Sequence, residues 1–78
     1  MAVCAYVLIQ AEVGKSAQVA QEIGQLEGIV SADNVTGPYD VIVRVEADTV
    51  DELGRLVVSK MQLIDVITRT TTCQVVHL

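Results

Sequence analysis

Val35-Thr36-Gly37-Pro38-Tyr39-Asp40-Val41 is the stretch on which the reading of this chain turns. Pro38 fixes its own φ and has no N–H, so Gly37-Pro38-Tyr39-Asp40 predicts a tight turn with proline second. Gly37 has no Cβ and leaves its backbone open to whatever approaches. Strand-like runs flank it, Ile29 to Val35 and Val41 to Val45, which makes the turn the tip of a hairpin. A tip with glycine, a phenol and a carboxylate has the groups to hold a small zwitterion. The same residues also make a plain turn in which Asp40 caps local backbone and Tyr39 packs, and both readings stand at this point.

Outward from the tip, Val41, Val43 and Val45 alternate with Ile42, Arg44 and Glu46, so one face of this strand is aliphatic and is assigned to the helices. The preceding strand is interrupted by Ser31, Asp33 and Asn34 and suits a sheet edge. Before it, Val19, Ala20, Ile23 and Leu26 recur at helical spacing over Lys15 to Leu26, with Gly28 as the expected left-handed stop. After the hairpin, Asp48 is the candidate cap of a second helix whose stripe is Val50, Leu53, Val57 and Met61, with Leu56 beside it and fraying expected around Lys60 to Gln62. Val3 to Ala11 is apolar on both alternating sets and predicts a central strand. Ile67 to Val76 is β-branched and predicts the last one, with Thr68, Thr70, Thr72 and Gln74 on one face and Ile67, Arg69, Thr71 and Cys73 on the other.

Strand, helix, strand, strand, helix, strand is the ferredoxin-like βαββαβ order, an α+β fold with a four-stranded antiparallel sheet. Right-handed crossovers put both helices on one side and leave the other face bare. With 78 residues the chain is expected to be a single domain over 1–78. A chain this short buries only about 60% of its unfolded surface alone. Its residues are 51% hydrophobic, and a second copy pressed sheet to sheet is the simplest cover for the excess, so a homodimer is the expected minimum unit.

Net charge is −5, and Lys15, Arg44, Arg55, Lys60 and Arg69 are scattered, which argues against direct nucleic-acid binding. No apolar run approaches the ~20 residues of a membrane span. The N-terminus has no basic region before its apolar stretch, so no signal peptide is expected and cytoplasmic residence follows. Cys4 and Cys73 lack metal or redox spacing and read as reduced small hydrophobes, and no metal or cofactor is expected.

The tip Val35-Thr36-Gly37-Pro38-Tyr39-Asp40, followed by Asp51-Glu52-Leu53 in a helix and by Ile67-Thr68-Arg69-Thr70-Thr71-Thr72, resembles the effector-binding (RAM) domain of Lrp/AsnC regulators over essentially the whole chain. The resemblance implies non-catalytic amino-acid sensing and an assembly of dimers, commonly four in a ring. It implies a ligand held between dimers by Thr36, Gly37, Pro38, Tyr39 and Asp40 of one chain and by Thr70 and Thr72 of a neighbour, with Thr71 left to β propensity. Asp40 would pair the ammonium and the turn amides the carboxylate. Family members usually carry glycine just before the last strand, where this chain has Val66. They also carry a helix-turn-helix ahead of this domain, whereas Met1 here leads straight into a strand, so the chain resembles the stand-alone members.

Two other functions compete. One is a module that co-assembles with full-length Lrp/AsnC regulators without a ligand of its own. The other is a small dimeric ferredoxin-like enzyme, which needs a positioned base or nucleophile, and the sole histidine, His77, sits beside the C-terminus. An ACT-type domain shares the strand and helix order, but it calls for a glycine-bearing ligand loop after the first strand, which Gly14 only partly supplies.

Overall fold

The computed structural model describes residues 2–77. Its elements are β1 (Val3–Ala11), α1 (Ser16–Gly24), β2 (Ile29–Asn34), β3 (Val41–Ala47), α2 (Val50–Leu56) continued by a π-helical turn (Val57–Met61), and β4 (Ile67–Gln74). The strands form one antiparallel sheet in the order β2-β3-β1-β4, so β1 is central and β2 is an edge, as their polarity predicts. The fold is the ferredoxin-like α+β arrangement.

One face of the sheet carries the core. Ala5, Val7 and Ile9 of β1 and Val41, Val43 and Val45 of β3 are fully buried beneath Val19 and Ile23 of α1 and Leu53, Val57 and Met61 of the second helix. Burying each such aliphatic side chain stabilises the fold by about 1.5–3 kcal/mol. On the opposite face, Cys4, Tyr6, Leu8 and Gln10 of β1 lie beside Ile42, Arg44 and Glu46 of β3, and no helix among the described residues covers them. Arg44 bonds the Tyr6 hydroxyl at 2.6 Å and lies over its ring, with 5.4 Å between Cζ and the centroid. Tyr6 thereby holds the guanidinium proton above its ordinary range.

Several boundaries depart from the sequence reading. The α1 helix ends at Gly24 with Gln25 as its right-handed cap, so Gly28 lies beyond it. Gly28 does adopt a positive φ, +91°, and an added Cβ would stand 3.2 Å from the Glu46 carbonyl oxygen and 3.3 Å from Leu56 Cδ2. It is the point where the chain turns into β2 under the second helix. The second helix is capped by Thr49 rather than Asp48: the Glu52 amide donates to Thr49 Oγ1 at 3.1 Å, while the Asp48 amide donates to the Glu52 carboxylate at 3.2 Å. This reciprocal pairing is close to a capping box. Val50, the first residue of the helix, is 55% exposed and so stands outside the buried stripe of Leu53, Val57 and Met61.

The second helix widens at its end instead of fraying. Leu53, Val57 and Met61 are four apart, and steps of four drift around a regular α-helix. In the π-turn the Gln62 amide donates to the Val57 carbonyl at 3.1 Å, which draws Met61 back over the sheet, fully buried. The last strand stops at Gln74, two residues short of Val76. Its alternation breaks near its start, where Gln10 pairs Arg69 but Ala11 pairs Ile67. Thr68 is the extra residue of this bulge, and Ile67 therefore packs against the core on the same side as Thr70.

Candidate functional site

The connection between β2 and β3 is six residues, 35–40, and it is not the tight four-residue turn that its proline suggests. The Val35 amide donates to the Asp40 carbonyl at 3.0 Å and closes the loop. Asp40's own amide crosses to the Ile9 carbonyl at 2.8 Å, leaving no bond back to Gly37. Gly37 has φ +136° and free space where a Cβ would stand, so backbone conformation rather than crowding requires glycine there.

The tip is braced against the end of β1. Ladder pairing of β1 with β3 ends at Ile9 and Val41, and beyond it the Ala11 amide finds the Asp40 carboxylate, Oδ2, at 2.8 Å. The side chain takes over where the next backbone carbonyl would have been. Gln10 Nε2 donates to the Pro38 carbonyl at 2.9 Å, and the Thr68 hydroxyl donates to the Gln10 carbonyl at 3.1 Å. Glu12 bonds Val66 backbone to backbone at 2.9 Å, tying the start of β4 to the same end of the sheet. Val66 stands there without a left-handed conformation, because no non-glycine residue among those described has a positive φ.

Thr36, Gly37 and Pro38 are exposed, and Tyr39 and Asp40 are half-buried. Among the described residues the amides of Thr36, Gly37 and Tyr39 have no backbone partner, so the tip presents three donors on a braced frame. The Asp40 carboxylate thus has the local capping role, with Oδ2 committed to Ala11.

Thr70 and Thr72 are elsewhere in the protomer. They pair with Ile9 and Val7 and so lie on the helix side of the sheet, where they line an open groove of about 430 Å³ between β4 and the second helix. Within one chain they do not meet the tip. A larger cleft, about 560 Å³, lies at the far end of the hairpin between Glu27, Glu46, Asp48 and Glu52 on one hand and Arg55 and Lys60 on the other. It contains none of the residues that the sequence reading gave to a ligand. No three His, Cys, Asp or Glu side chains among the described residues converge to hold a metal ion. No helix among them is long and apolar enough to cross a membrane.

Gln10, the Ala11 amide and Thr68 escaped the sequence reading. A glutamine at the end of an apolar strand carries no signal of a distant carbonyl partner, and the bulge that places Thr68 has no glycine to mark it.

The ferredoxin-like sheet, with helices on one side, thus carries a braced tip that offers backbone amides beside the Asp40 carboxylate. The Lrp/AsnC ligand binding domain model matches residues 4–77, and the chain belongs to that family. A relative from Pyrococcus abyssi (strain GE5 / Orsay), described as an uncharacterized HTH-type transcriptional regulator, is 34% identical over 70 residues, covering 90% of this chain and 44% of its own length. The chain thus spans less than half the length of this regulator. The crystal structure of FFRP-DM1 superposes with a TM-score of 0.90 at 30% identity, covering 95% of this chain and 99% of that one. A transcriptional regulator from Neisseria meningitidis, solved as its L-Met complex, shares the fold with a TM-score of 0.83 at 12% identity, covering 96% of this chain and 50% of that one. The family is one of transcriptional regulators and not of enzymes.

Proposed function

We propose that this chain is a non-catalytic sensor, a single ligand-binding domain over 1–78 that binds an amino acid or similar small zwitterion at the 36–40 tip and works as an assembly of copies in the cytoplasm. The observation that carries the reading is the tip itself: three amides without backbone partners, held in place by Asp40, Gln10 and the end of β1. Such amides suit a carboxylate, and the Asp40 side chain beside them suits an ammonium. Membership of the Lrp/AsnC ligand-binding family and the L-Met complex of the Neisseria protein support this choice of ligand class.

Thr70 and Thr72 belong to the same site only if another copy supplies them, because one protomer keeps them apart from its tip. The uncovered face around Tyr6 and Leu8 supports a dimer packed sheet to sheet, and pairs of dimers would then bring tip and threonines together, up to a ring of four. Regulation would pass through association with other Lrp/AsnC regulators.

Calorimetry with a panel of amino acids tests the proposal. Saturable binding is expected, weakened at least tenfold by Asp40→Asn, which keeps an acceptor for Ala11 but removes the charge. If no amino acid binds while the protein still self-associates, the reading as an assembly module takes its place.

A further inference from the structure

We propose that Gln10 is a positioning residue of the sensing tip: by holding the Pro38 carbonyl it aims the Tyr39 amide at the carboxylate of a bound amino acid, and so makes the site select free amino acids over their amides. The inference rests on the sensing role given to the tip and adds which donor reads the ligand and what sets its direction.

The peptide between Pro38 and Tyr39 carries the argument. No peptide bond among the described residues is cis, and in a trans peptide the plane is stiff and its C=O and N–H point in opposite directions. Gln10 Nε2 donates to the Pro38 carbonyl at 2.9 Å, so the Tyr39 N–H in the same plane is turned away from Gln10. The next peptide is pinned as well, because the Asp40 amide donates to the Ile9 carbonyl at 2.8 Å. Tyr39 is thereby fixed on both sides. No hydrogen bond among the described residues holds the peptides that carry the Thr36 and Gly37 amides, and the peptide between Gly37 and Pro38 has no N–H to offer. Of the three free amides, the one at Tyr39 alone has a fixed direction.

Gln10 is itself held in place. It is half-buried, it pairs with Arg69 across the ladder to β4, and its carbonyl accepts from the Thr68 hydroxyl at 3.1 Å. Its side chain is neutral and adds no charge that would compete for either end of a zwitterion. A donor on the Pro38 carbonyl also polarises the peptide and strengthens the Tyr39 N–H, by roughly 10–30%. A carboxylate gains more from that alignment than a carboxamide does, since charge-assisted hydrogen bonds are about twice as strong as neutral ones.

Calorimetry on the full chain, with each standard amino acid and with its α-carboxamide, tests this in the wild type, Gln10→Met and Gln10→Ala. Methionine is as long as glutamine and uncharged but has no donor. Both side chains suit a half-buried strand position, so urea unfolding should show both variants folded. Amino acids that bind the wild type should bind roughly tenfold more tightly than their amides. In both variants the affinity for the acids should fall by roughly three- to tenfold, the worth of one hydrogen bond, and that for the amides by less than about twofold. The preference for the free acid therefore shrinks. Equal losses for acids and amides would reduce Gln10 to a brace and overturn its role in aiming the donor, as would unchanged affinities, with the tip still the site in either case. Acids and amides bound equally by the wild type would overturn it too. Absence of any binding to the wild type would overturn the sensing role and this inference together.

Discussion

Asp40 does two jobs that a single substitution to alanine would confuse. Its Oδ2 accepts from the Ala11 amide at 2.8 Å in a half-buried setting, so removing the carboxylate strands a donor at the end of β1. Loss of such a charge-assisted bond costs about 1.5–3 kcal/mol. Asp40→Ala should therefore lower the midpoint of urea unfolding, whereas Asp40→Asn should leave most of the stability in place; equal losses for the two would show that charge, not the hydrogen bond, holds the tip. Much of the tip was legible beforehand, since glycine and proline beside a tyrosine and an aspartate between two β-branched runs leave few alternatives. The direction of its hydrogen bonds was not. Pro38 favours a four-residue turn locally, and the Ile9 carbonyl at the end of β1 takes the Asp40 amide that such a turn would need once the sheet forms.

Among the elements, caps and crossings decide where each one starts. Asp48 and Thr49 are both good capping residues standing side by side, and spacing alone does not choose between them. The Glu52 amide chooses Thr49, and Thr49→Ala should cost about 1 kcal/mol with Asp48→Ala costing less. Gly28 is a harder constraint, since its φ of +91° and the 3.2 Å approach to the Glu46 carbonyl oxygen both oppose a side chain. Gly28→Ala should cost on the order of 1–3 kcal/mol in chemical denaturation, and a neutral result would mean that β2 can shift away from the second helix. Strand and helix order was readable because Val41, Val43 and Val45 alternate with Ile42, Arg44 and Glu46 while β1 is apolar on both of its sets. The π-turn and the bulge at Thr68 were hidden because each is a response to tertiary fit: one keeps Met61 over the sheet, the other brings Ile67 to the core side.

For the whole molecule the telling contrast is between its two faces. One buries a full aliphatic layer, and the other leaves Tyr6 39% exposed beside the half-buried pair Leu8 and Ile42, with no element among the described residues above them. If copies of the chain associate through that face, Leu8→Asp should shift the sedimentation of the protein toward the monomer, because a carboxylate in a dry sheet-to-sheet contact loses its water. Unchanged sedimentation would place the contact elsewhere. The bare face was foreseeable from the doubly apolar pattern of β1. The separation of Thr70 and Thr72 from the tip of their own protomer came only with the family resemblance, because a strand's parity says which side a residue faces but not that β1 stands between β4 and the hairpin.

The bond from Ala11 to Asp40 has a practical corollary. The amide proton donated to that carboxylate is shielded differently whenever Asp40 takes a cationic guest, so the Ala11 amide resonance is a spectroscopic gauge installed by the fold. Following it as amino acids are added would read occupancy at the tip without any label on the ligand.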